Sequence, residues 1–211
     1  MKILAIADIV VPELSERFDV RRFDGVELIL SCGDLPPEYL SAIRDRLDAP
    51  LYYVRGNHDI RYRHSPPIGC LNIHRRRLTF KGVRILGLEG SRWYNGGPLQ
   101  YRDYQMRRMI WCMMPGLWFN GGVDIVVTHA PPRHINDRED RCHRGFDSYV
   151  KLIRRFSPSY FLHGHIHDRF TDSSQRLALV GATRVINTFG YYILEMDNDR
   201  SGGKNQEDLA G

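Results

Sequence analysis

The chain has 211 residues, of which 42% are hydrophobic and 26% charged, a balance that supports a sizeable core and excludes disorder of the whole chain. Its formal net charge of +5 raises the question of polyanion binding, but acidic residues are interleaved with the basic ones, and the run Arg75-Arg76-Arg77 stands just before an expected strand, where it reads as a solvated hairpin. Cys32, Cys70, Cys112 and Cys142 lie far apart with no Cys-x-x-Cys pair, and no apolar stretch reaches about 18 residues, so a zinc knuckle, a disulfide framework and a membrane partner are not expected and the cytoplasm is.

In chain order, Lys2 to Ala7 alternates little and is rich in Ile, Leu and Ala, as a strand buried on both faces should be, and it stops at Asp8. Val26 to Cys32 repeats this and stops at Gly33-Asp34; Leu51 to Val54 does so again before Gly56-Asn57-His58-Asp59. Pro37 to Leu47 between them carries apolar residues at helical spacing, giving a β-α-β succession. Arg77 to Leu88 reads as a hairpin around Lys81-Gly82. A helix is expected over Tyr101 to Met114, with Met106, Met109, Ile110 and Met113 as a core-packing stripe. Val123 to Val127 is an apolar strand ending at Thr128-His129, and after a helix over Phe146 to Phe156, Tyr160 to Leu162 ends at His163-Gly164-His165-Ile166-His167. Strands at Leu177 to Val180, Thr183 to Asn187 and Tyr191 to Glu195 are expected to complete a second sheet. One domain over residues 1–196 follows, with a mobile, polar tail over 197–211.

Five polar clusters thus fall just past the ends of apolar strands, where open α/β sheets place their ligands. They supply Asp8, Asp34, Asn57, His58, His129, His165 and His167. Carboxylate and amide oxygens mixed with imidazoles, and no thiolate, suit manganese, iron or zinc. Glycine before Asp34, Asn57 and His165 lets the backbone turn sharply at a strand end. In His165-Ile166-His167, residues two apart in an extended segment point the same way, so both imidazoles can face neighbouring metals.

The ordered series Asp8, Gly33-Asp34, Gly56-Asn57-His58-Asp59, Thr128-His129 and Gly164-His165-Ile166-His167 resembles the calcineurin-like metallophosphoesterases. The resemblance implies an α/β fold of two mixed β-sheets packed as a sandwich flanked by helices, and two divalent metal ions with manganese favoured. It implies that Asp34 bridges them, with Asn57, His129 and His165 on one ion and Asp8 and His167 on the other. His58 is similar to the family histidine that binds no metal and assists the leaving group. One departure stands out: the family's first motif is Asp-x-His, and here it reads Asp8-Ile9-Val10. Valine has no lone pair, so the site with Asp8 is expected to be weak or completed from a nearby loop, for which Asp137, Asp140 and His143 are candidates.

The activity implied is hydrolysis of a phosphomonoester or phosphodiester. Two adjacent cations lower the pKa of a shared water, and the bridging hydroxide attacks in line while His58 protonates the departing oxygen. Asp59 or Glu38 would orient His58. Arg55 and Arg92 adjoin the motif loops and are candidates for holding phosphate; nucleic acid enters only as one class of substrate. His163 is a candidate support for the neighbouring motif. The alternative is a binding or regulatory module that keeps the fold, for which Val10 argues and against which His58 argues.

Overall fold

A computed structural model describes residues 1–168 and 170–196; the expected tail, 197–211, lies outside the described residues. In chain order the strands are β1 (Lys2–Ala7), β2 (Val26–Ser31), β3 (Leu51–Tyr53), β4 (Leu71–Asn72), β5 (Arg77–Phe80), β6 (Val83–Leu88), β7 (Ser91–Arg92), β8 (Gln100–Tyr101), β9 (Ile125–Thr128), β10 (Tyr160–His163), β11 (Leu177–Val180), β12 (Thr183–Asn187) and β13 (Gly190–Glu195). The α-helices are α1 (Val20–Phe23), α2 (Pro37–Leu47), α3 (Asp103–Phe119) and α4 (Asp147–Phe156).

Two mixed sheets form the body, in the orders β13-β1-β2-β3-β4 and β11-β12-β10-β9-β6-β5. The unbroken apolar run of β1 has a simple cause, since both its faces are covered. Ile3, Ala5 and Ala7 join Leu28 and Leu30 of the first sheet and Ile85, Ile125, Val127, Leu162 and Ile186 of the second in one cluster between the sheets. Leu4 and Ile6 point the other way, into a cluster with Tyr39, Leu40 and Ile43 of α2. On the outer face of the second sheet, Val126 and Phe161 pack against Met106 and Ile110 of α3 and Tyr149 and Leu152 of α4. The layers are therefore helix, sheet, sheet, helix. Fully burying each large aliphatic chain stabilises by about 1.5–3 kcal/mol, which makes the inter-sheet layer the main support of the fold.

Two elements differ from the sequence expectation. β13 pairs antiparallel with β1, Lys2 opposite Glu195 through Ala7 opposite Gly190, so it belongs to the first sheet and not the second. Nothing local to Tyr191–Glu195 encodes that choice; the free edge of β1 does. α3 continues through Pro115 to Phe119, where the sequence suggested a stop at Met114. Leu117, only 1% exposed, anchors the extra turn in the core and offsets the backbone hydrogen bond that proline forfeits. Arg77 binds the carbonyls of Gly122 and Asn120 just beyond α3, so one member of the basic run neutralises a helix end. The Arg77 to Leu88 hairpin forms as expected, with Lys81 and Gly82 both at positive φ.

β1, β2 and β3 run parallel, as do β6, β9, β10 and β12. Parallel strands bring their carboxyl ends to one rim, and all five polar clusters lie there.

Candidate metal centre

Each cluster begins where a strand's last residue is held by its sheet neighbour. Asp8 N–H donates to Gly33 O at 3.1 Å, which ties the first two loops together, and Gly164 N–H donates to His129 O at 3.0 Å, which ties the last two. Three of the candidate ligands, Asp8 (φ 69°), Asp34 (φ 58°) and His165 (φ 68°), have a left-handed backbone. Non-glycine residues rarely adopt it, and strain of this kind concentrates at functional sites. The preceding glycines serve closeness as much as turning. A Cβ on Gly56 would collide with the Asp34 carboxylate and lie 2.7 Å from His129 Cε1, and one on Gly164 would lie 2.6 Å from Asp8 Oδ2.

His129 is fully buried at the centre. Its Nδ1 donates to Cys32 O at 2.9 Å, while Nε2 faces Asn57 Oδ1 at 3.0 Å and Asp34 Oδ2 at 3.2 Å. Three electron-rich atoms at such separations are reconciled only by a shared cation, either a proton or a metal ion. Burial opposes protonation of His129, but the carboxylates of Asp34 and Asp8 outweigh it and raise its pKa. The same pairing lowers Asp34 against the upward pull of burial. A divalent ion would take the proton's place between these atoms. The amide of Asn57 is set for this, because its Nδ2 donates to Tyr94 Oη at 3.3 Å and its oxygen is turned toward His129.

His165 completes this group. Its Nε2 donates to Cys142 O at 2.7 Å, leaving Nδ1 with its lone pair. Burial pushes its pKa down to about 3, so the ring is neutral and competent as a ligand. One ligand atom each from Asp34, His129 and His165 lies within 4.8 Å of the others, a spacing that fits a metal ion. The second group is looser. Asp8 has a fully buried carboxylate that accepts the His165 N–H at 3.0 Å, and His167, half exposed, brings Nε2 to 3.5 Å from Asp8 Oδ1. Val10 is 46% exposed.

The remaining residues considered from sequence fall in different places. His58 is exposed; its backbone N–H donates to Asp34 Oδ1 at 2.8 Å, which sets its ring beside the metal loops. Asp59 does not face it. Asp59 is buried, and its Oδ2 accepts from Gly56 N at 2.7 Å and Asp34 N at 2.8 Å, so it staples two ligand loops together. Burial, with Asp34 close by, pushes its pKa up to about 6. Glu38 pairs with Arg61 on the surface. Arg55 spends its guanidinium fork on Glu89, at 2.7 and 2.9 Å, and Glu89 also accepts from Tyr101 Oη. Arg92 lines an open cleft with Arg102, Arg141 and Arg144, donates to Gly145 O at 3.0 Å and lies 3.6 Å from the Asp147 carboxylate. His163 is buried with Nδ1 on Gly164 O at 2.9 Å and Nε2 facing the Asn136 amide at 3.4 Å, bracing the loop that carries His165. Asp137 is occupied by Arg133 and by Gly145 N–H. Tyr94, Asn136 and Glu89 carry no signal in the sequence, because they meet the site only across the fold.

The fold and the donor set together define a metal-dependent phosphoesterase scaffold. The chain belongs to the calcineurin-like phosphoesterase family, whose model matches residues 1–169. It is similar to an uncharacterized protein of Haemophilus influenzae, 22% identical over an alignment of 187 positions that covers 71% of this chain and 77% of that protein. Among solved structures it resembles TT1561 of Thermus thermophilus, with a TM-score of 0.63, 18% identity and coverage of 90% of this chain and 89% of that one. It also resembles a dimetal phosphatase from Danio rerio, with a TM-score of 0.53, 13% identity and coverage of 90% and 87%. These likenesses agree with the two-sheet architecture.

Proposed function

We propose that this chain hydrolyses a phosphate ester at a paired divalent-metal site, with manganese the preferred ion. Asp34, Asn57, His129 and His165 would hold one ion, and Asp8, Asp34 and His167 the other. The approach of Asn57 Oδ1 and Asp34 Oδ2 to 3.0 and 3.2 Å from His129 Nε2 carries this reading. When bound, such ions supply a nucleophilic hydroxide at neutral pH and neutralise phosphate charge. The rest falls to the chain itself. Cys32 O and Tyr94 Oη fix the tautomer of His129 and the orientation of Asn57, so the donor atoms are set before any ion arrives. His58, exposed and held by its backbone to Asp34, is positioned to give a proton to the leaving oxygen. Arg92 and the neighbouring arginines of the cleft favour an anionic remainder on the substrate.

Among the described residues no helix is long and apolar enough to cross a membrane, and the four cysteines are free, which supports a cytoplasmic setting for the activity. The test is turnover of an aryl phosphomonoester and an aryl phosphodiester by the manganese-loaded chain, with His129→Ala as the control. Turnover that His129→Ala abolishes is expected. No turnover of either ester with manganese, iron or zinc would favour a binding module on the same fold.

A further inference from the structure

The residue missing from the first motif has a counterpart elsewhere in the site. His143, on the loop between β9 and α4, places its ring centre 5.3 Å from that of His165 and 6.4 Å from that of His167. Two imidazoles on one ion at metal–nitrogen distances of about 2.0–2.1 Å have ring centres up to about 6.4 Å apart, the upper end when they stand opposite each other across it, so His143 and His167 fit a pair on one ion, with His165, a ligand of the first ion, alongside. His143 Nδ1 faces Asp140 Oδ1 at 2.9 Å and Oδ2 at 3.0 Å, and the same carboxylate accepts the backbone N–H groups of Cys142 and His143. With its proton on Nδ1, the ring keeps the lone pair on Nε2. A carboxylate behind a histidine in this way is the usual support of a metal-binding imidazole, since it fixes the tautomer and raises the basicity of the other nitrogen.

The turn is also built into the centre, because Cys142 O accepts the Nε2 proton of His165 at 2.7 Å. The segment 140–143 therefore sets His143 and braces a ligand of the first ion at once. Val10, half exposed and without a donor atom, leaves the Asp8 and His167 side with room for one more ligand. Asp137, the other acid of this loop, is already held by Arg133 and Gly145.

We propose that His143 is a metal ligand, supplying through Nε2 the imidazole that Val10 does not, to the ion held by Asp8, Asp34 and His167, with Asp140 as its positioning residue. The ligand moves from the first strand-end loop to the loop before α4, and the second site is complete.

The proposal rests on the two-ion reading above, and the experiment separates the two. The full chain, stripped of metal, is titrated with manganese by calorimetry alongside His143→Ala, Asp140→Asn, and His143→Ala combined with Val10→His. Two equivalents are expected for the unsubstituted chain. His143→Ala should keep the first and weaken the second by at least about tenfold, Asp140→Asn should weaken it by about tenfold, and Val10→His should restore it in the His143→Ala background. Val10→His alone should change little. Retention of the first equivalent shows that each variant is folded. A second-ion affinity unmoved by His143→Ala, or a single equivalent in the unsubstituted chain, overturns the assignment of His143. Hydrolysis by a chain whose second ion ignores His143 would leave the phosphoesterase reading standing, whereas two ions bound as expected with no turnover of any ester would overturn that reading alone.

Discussion

The Asn57 side chain donates to the Tyr94 hydroxyl at 3.3 Å, and this contact decides which end of the amide faces His129. Tyr94→Phe removes the acceptor and lets the amide rotate, so its affinity for the first ion should fall about tenfold. Tm should move little, since one partly buried hydrogen bond contributes only about 1 kcal/mol. Manganese titration with thermal denaturation checks both, and an unchanged affinity would show that the amide is oriented by other means.

His58 and His129 should separate metal content from activity. His58→Ala should purify with the same metal content as the parent and lose about 10² or more in kcat, the scale of a positioned acid. His129→Ala should lose the first ion, because Nε2 lies between Asn57 and Asp34. Elemental analysis of the two proteins is decisive, and equal metal loss would place His58 among the ligands.

Metal removal should cost stability, because Asp8 and Asp34 are acids drawn into the same rim with Asp8 fully buried. An ion present at about a hundred times its Kd adds about 2.7 kcal/mol to the folded state. For a domain of this length that is about 5–10 °C in Tm. Thermal melts with chelator and with manganese measure the difference, and coincident melts would contradict tight binding.

Asp59 is expected to matter for architecture. Asp59→Ala leaves the buried N–H groups of Gly56 and Asp34 without an acceptor, which should cost about 2–5 kcal/mol. Asp59→Asn keeps an oxygen for them and should cost less. Denaturant unfolding of the pair tests the order. A strong kcat loss in Asp59→Asn with stability intact would instead show that Asp59 acts on His58.

Arg55 and Arg92 should behave differently despite similar positions in the sequence. Arg55→Ala strands Glu89, which is only 2% exposed, and should lower stability by about 3 kcal/mol. Arg92→Ala should leave Tm close to the parent and raise KM for anionic esters in a salt-dependent way. A KM effect from Arg55 with no loss of stability would reverse these roles.

The strands that end in functional loops were legible because burial on both faces leaves an unbroken apolar run, and the polar residue that follows marks the rim; β1, β2, β3, β9 and β10 all show this. Their order along the chain, with glycine before Asp34, Asn57 and His165, pointed to the family and to the donor set. Pairing was another matter. β13 joined β1 because an open strand edge, far away in sequence, offered its hydrogen bonds, and α3 passed Pro115 because Leu117 found a core position.

What the sequence determined by itself was therefore local: which segments are apolar on both faces, where each stops, and which donor atoms stand at the stops. The tertiary structure decided which donors meet. It turned Asp59 from a partner of His58 into a staple between Gly56 and Asp34, occupied Arg55 with Glu89, and brought Tyr94 to Asn57 and the turn at Cys142 and His143 to His165. The physical reason is that a ligand shell is a set of distances across loops from two sheets. Those distances are fixed only when the sheets pack, and no residue's own neighbours in the chain record them.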